Sequence, residues 1–136
     1  MSKLRLWHYK LIESGVLPKA MLVSQWRECI AIKRQWEKGT LKHRLVSYVM
    51  DNPKSMFCSY VYEVKCWLLR HHINYNENLY QEIEEFCDYK FNIGDYPEHN
   101  DRYLKQCLYN LQEKADRGII TQEEWKIIED EFGDVL

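Results

Sequence analysis

Arg27 and Glu28 stand side by side in the middle of PKAMLVSQWRECIAIKRQWEK, the stretch from Pro18 to Lys38 and part of the most basic region of the chain. The basic residues around Arg27 and Glu28 make the pair a candidate for more than a surface contact. The same pair on a helix surface also makes an ordinary solvated ion pair. Other chemistries lack their residues. The glycines stand alone, so no glycine-rich phosphate cradle exists, and no GxSxG occurs. His71 and His72 are adjacent, point about 100° apart on a helix and cannot share one metal ion by themselves. No cofactor or metal is expected. His8 and His43 both lie among basic residues, where each reads as a hydrogen-bonded structural histidine or as a contact to an anion. Trp7, Trp26, Trp36, Tyr48, Tyr60 and Trp67 could stack on bases, although their helical spacing suits a core as well.

These residues must be positioned by helices. Met21, Leu22, Gln25/Trp26, Cys29, Ile32/Lys33 and Trp36 form an amphipathic stripe, with Pro18 suited to the first turn and Gly39 to the stop. Further helices are expected over Leu41 to Met50, with Leu45, Val46 and Val49 inward, over Pro53 to His72, Leu79 to Tyr89 and His99 to Arg117, and after Thr121, where Glu124 three residues on completes a capping box. No strand alternation persists. The fold class is all-α, a single domain over 1–136 built as a bundle of five or six helices.

Composition narrows the setting. At 46% hydrophobic and 14% aromatic, the 136 residues suffice for one core. Five cysteines without a CxxC pair suggest neither a disulfide framework nor a zinc site. With no apolar run near 20 residues and no apolar signal segment, a cytoplasmic protein away from membranes is expected. The net charge of −2 conceals a division: residues 1–72 hold thirteen Lys and Arg against five Asp and Glu, and residues 73–136 hold six against sixteen. A basic half of net +8 hints at a polyanion partner, unless it serves only to neutralise the acidic half.

The run Leu6-Trp7-His8, Leu11-Ile12, Leu17-Pro18, Leu22, Gln25, Arg27-Glu28-Cys29, followed by Lys42-His43, Val46 and Tyr48-Val49, resembles the bacterial relatives of the pyrimidine-dimer DNA glycosylase (endonuclease V) family. Those relatives read LWH, LI, LP, Q.REC and KH..V.YV in the same order. The likeness covers the chain to about Ile119, leaving 120–136 as an additional acidic helix. It implies an all-α repair enzyme that binds damaged duplex DNA, attacks C1′ of the damaged nucleotide with its N-terminal amine and cleaves the strand by β-elimination from the resulting imine. An α-amine titrates near 7.7 to 8.0, so an appreciable fraction is nucleophilic at neutral pH. On the family's pattern Glu28 is the catalytic acid/base. Ser2 offers the amine if Met1 is removed, and Arg5 and Arg27 contact phosphates near a displaced base. Lys33 and Arg34 stand near the place of a further family arginine, where this chain has Ala31, and His43 joins them as a DNA-binding candidate.

The chain also departs from the family. It begins three residues before the family's usual start, carries Ala20 where phage members have glutamine, and ends in EEWKIIEDEFGDVL instead of an aromatic and lysine cluster. Two other readings stand beside the enzyme. One is a non-catalytic relative of the fold that binds nucleic acid or protein. The other makes the LWH and REC residues a buried network that pairs Glu28 with Arg27, Arg5 or His8.

Overall fold

The computed structural model describes residues 4–91 and 94–136. Six α-helices occur among them: α1 (Tyr9–Glu13), α2 (Lys19–Lys38), α3 (Lys54–Arg70), α4 (Glu77–Phe86), α5 (Asp101–Asp116) and α6 (Gln122–Phe132), with a 3-10 helix at Ser47–Asp51 between α2 and α3. No strand is present among the described residues, so the chain is all-helical. No helix is long and apolar enough to cross a membrane among the described residues.

Local chemistry sets the helix ends. Pro18 is the N-cap of α2, and Gly39 closes it in the left-handed region at φ 73°. The Gly39 N–H donates to the Trp36 carbonyl and the Thr40 N–H to the Gln35 carbonyl, which satisfies two carbonyls that the last turn would otherwise leave open. Asn76 and Asn100 cap α4 and α5 with their side-chain oxygens. The expected capping box on α6 forms, with the Thr121 N–H donating to the Glu124 carboxylate at 2.8 Å and the Glu124 N–H to the Thr121 hydroxyl at 3.0 Å.

The helix expected over Leu41 to Met50 is corrected. The chain turns at His43, whose carbonyl accepts from the N–H groups of Val46 and Ser47, and then makes the 3-10 helix. Leu41, Val46 and Val49 are buried, and the three-residue step between the valines is the 3-10 period, so this winding inserts both. Leu45 is left 50% exposed instead of facing inward. The acidic helix α4 also runs over 77–86 and not over 79–89, because Asn76 starts it early and Asp88 and Tyr89 leave it with φ near 55°.

The core is built mainly where α2 lies on α3. Trp36 packs edge-on against Phe57 of α3 and Phe86 of α4, with ring centroids 5.8 and 5.2 Å away, so one indole joins three helices. Gly15 links α1 to this body at φ +74°, and a side chain there would strike the Trp67 ring. Cys29, Cys58, Cys87 and Cys107 are buried, and all five cysteines are free.

Candidate functional site

Residues 4–8 are not helical, yet Leu4, Leu6, Trp7 and His8 are buried. An extended segment inside a helical protein must find partners for its peptide groups. Three side chains from different helices provide them. Gln25 of α2, fully buried, accepts from the Trp7 N–H at 2.7 Å and donates to the Arg5 carbonyl at 2.8 Å. The Tyr60 hydroxyl of α3 lies 2.6 Å from the Trp7 carbonyl and 3.0 Å from Gln25 Oε1, sharing its one proton between them. The Tyr103 hydroxyl of α5 donates to the Leu6 carbonyl. The segment is thereby strapped to α2, α3 and α5.

His8 and His99 complete the strap. His8 Nδ1 accepts from the Lys10 N–H and caps α1, and burial lowers the His8 pKa. His99 Nδ1 accepts from the Tyr9 N–H at 3.1 Å, so the neutral ring carries its proton on Nε2, which then donates to the Tyr48 hydroxyl 2.5 Å away. Burial first, and His8 second, push the His99 pKa down to about 3. Protonation would also break the bond from Tyr9. Because the folded pKa lies below the unfolded value of 6.5, the stabilisation is complete above pH 6.5 and is lost as pH falls toward 3. The expected loss from this residue is about 3 kcal/mol by pH 4. Imidazole chemical shifts across a pH series should show His99 neutral down to pH 4; a midpoint near 6.5 would contradict this.

Glu28 lies one turn beyond Gln25 on α2, on the side that meets the strap. Its carboxylate accepts from the Arg5 backbone N–H and feels the charges of Arg5 and Lys114. Burial outweighs both cations and raises its pKa to about 7, where a carboxyl group can gain or lose a proton near neutral pH. The Arg5 side chain is half-buried, with its guanidinium 4.7 Å above the Trp7 ring. Glu28, Arg5 and Lys114 therefore share one electrostatic neighbourhood, formed by the strap, α2 and the last turn of α5. Lys114 was not singled out by the sequence reading.

The other candidates are placed as follows. Ser2 lies outside the described residues. Arg27 is exposed on α2 beside Glu28. Lys33 is buried, 8% exposed, and its ammonium is taken up by Glu37 at 3.3 Å, so this lysine does not present an open cation. Arg34 is exposed one turn and a half beyond Glu28, about 9 Å along the helix axis. His43 sits half-buried in the turn after α2, where Nδ1 accepts from the Leu45 N–H at 3.3 Å. The structure groups Arg5 with Glu28 and leaves Lys33, Arg34 and His43 further along the chain's path.

The REC sequence thus divides its work: Cys29 is core, Arg27 is surface, and Glu28 touches the strap. Of the partners expected for Glu28, Arg5 is the one it meets, through the Arg5 backbone N–H and charge, while Gln25 supplies the two hydrogen bonds that hold Trp7 and Arg5. No family model matches the chain, and no match was found among curated proteins or solved structures.

Proposed function

We propose that this chain is a DNA-repair glycosylase and AP lyase acting on damaged pyrimidines in duplex DNA, with Glu28 as its acid/base and the N-terminal amine as its nucleophile. The observation that carries the reading is the Glu28 carboxyl, half-buried against the backbone of Arg5 with a pKa of about 7. Ser2 is three residues from Arg5, so its amine is within about 10 Å of that backbone however the intervening chain runs. An amine within that reach attacks C1′ as the glycosidic bond breaks and the base leaves with a proton; protonation of O4′ by the Glu28 carboxyl opens the sugar to the imine, and removal of the C2′ proton by the resulting carboxylate expels the 3′ phosphate and breaks the strand. Arg5, Arg27 and Arg34 would contact phosphates, their charges supplying affinity and register. The resemblance of the N-terminal motifs to the pyrimidine-dimer glycosylases suggests the lesion class.

A second reading, a non-catalytic nucleic-acid or protein-binding relative of that fold, is favoured by the burial of the motif. Leu6, Trp7, His8, Gln25 and Cys29 are all core, and such residues preserve a fold whether or not chemistry is retained.

Borohydride trapping distinguishes the two. Incubated with duplex DNA containing an abasic site, the protein should form a covalent adduct that maps to its N-terminal residue, and a duplex containing a pyrimidine dimer should be excised at the lesion. No adduct on either duplex, in protein whose terminus has been verified as Ser2, would overturn the enzyme and leave the binding relative.

A further inference from the structure

We propose that Cys58 of α3 and Cys87 at the end of α4 form a modification site, a buried thiol pair that a hydroperoxide converts into a reversible disulfide.

Three sets of contacts bring the two residues together. Phe57 and Phe86, the residues just before them, both pack edge-on against the Trp36 ring. The Lys54 ammonium, one turn before Cys58, lies 4.1 Å from the centre of the Phe86 ring. The thiols themselves are in hydrogen-bonding contact, with the Cys87 S–H donating to the Cys58 sulfur. Both are buried and free. Sulfurs already in contact need a small rearrangement of their side chains to reach the S–S bond length of about 2 Å. Cys29 and Cys107 instead have Gln25 and Tyr103 as thiol partners. Cys66, eight residues further along α3, is displaced about 12 Å from Cys58 along the helix axis.

The two thiols differ in a way that suits this chemistry. The bond from Cys87 lowers the Cys58 pKa, while the same bond and then burial raise that of Cys87. Cys58 is thus the thiolate that attacks the O–O bond, becoming a sulfenic acid as the rest of the hydroperoxide leaves as an alcohol, or as water from hydrogen peroxide. The bond from Cys87 is then lost, and the Lys54 ammonium favours the Cys87 thiolate. That thiolate attacks the Cys58 sulfur and expels hydroxide, which takes a proton and leaves as water. Two thiols and one hydroperoxide give one disulfide, one alcohol and one water, the two electrons from sulfur reducing the O–O bond. Access comes from the end of α4. Asp88 and Tyr89 are exposed and leave the helix at φ 55° each, a region disfavoured for residues with a side chain, so this exit opens at lower cost than the core. Glu28 and the strap use neither cysteine, so the site does not rest on the repair reading.

The whole protein, reduced and freed of reductant, is treated with hydrogen peroxide, alkylated in denaturant and read by intact mass and nonreducing peptide mapping. We expect a loss of about 2 Da, a cross-linked peptide joining Cys58 to Cys87, and its disappearance in dithiothreitol. In the Cys87→Ala variant the sulfenic acid meets no second thiol, so dimedone should label Cys58 about tenfold more than in the wild type. The wild-type map decides whether or not the variant folds. A cross-link between any other two cysteines, no Cys58–Cys87 cross-link once Cys66 is fully oxidised, or, in a folded variant, no rise in dimedone label at Cys58 would overturn the site.

Discussion

Glu28→Gln is expected to abolish strand cleavage at an abasic site while leaving DNA affinity unchanged or higher. General acid and base catalysis contributes about 10²- to 10⁴-fold, and glutamine keeps the shape and can still accept from the Arg5 N–H but cannot exchange a proton. Removing a negative charge from a surface that would face phosphates also favours binding. The same variant has a second readout. The folded carboxyl titrates near 7 and the unfolded one near 4.5, so burying the anion costs stability progressively as pH rises through that window. Glutamine removes the cost, and the variant should gain about 1–2 kcal/mol at pH 8 after allowance for solvent screening, with no gain at pH 4. Urea unfolding at the two pH values measures this beside the cleavage assay. Wild-type cleavage by the variant would eliminate Glu28 as the acid/base; a gain equal at both pH values would eliminate its elevated pKa.

Gln25→Ala should be the most damaging single change to the fold. It strips the Trp7 N–H and the Arg5 carbonyl of their partner and leaves a cavity beside Tyr60. Two unsatisfied buried peptide groups and a void together predict a loss of about 3–5 kcal/mol, a large share of the stability of a domain this size. Gln25→Glu should also destabilise, because a carboxylate cannot donate to the Arg5 carbonyl. A loss below 1 kcal/mol for the alanine variant in urea unfolding would show that the strap is held by Tyr60 and Tyr103 alone.

Much of the architecture was legible because its signals are local. Pro18, Gly39, Thr121 with Glu124, and the apolar periods of α2, α3, α5 and α6 each act within a turn or two of chain. The segment after Gly39 misled because Leu45, Val46 and Val49 match a helical stripe as readily as a turn followed by a 3-10 helix. Long-range closure decided between them, as Leu41, Val46 and Val49 were the residues the core could accept. Gln25 did give a signal: it occupies a stripe position between Leu22 and Cys29, and an amide inside an apolar stripe needs a partner. That its partners are peptide groups twenty residues earlier could not be read from spacing. Lys114 was invisible for the same reason. It stands in the last turn of α5, and only the packing of the helices brings it near Glu28 on α2.

Arg5 has its carbonyl bound to Gln25 and its N–H bound to Glu28, so both sides of one residue are gripped from adjacent turns of a single helix. The two grips differ in kind. An amide side chain keeps the same charge at every pH, whereas the carboxyl beside it changes charge near neutrality. The peptide's position is therefore insulated from the state of the group that titrates next to it: Glu28 can take up and release a proton repeatedly while a constant anchor, one turn away, keeps the backbone in register.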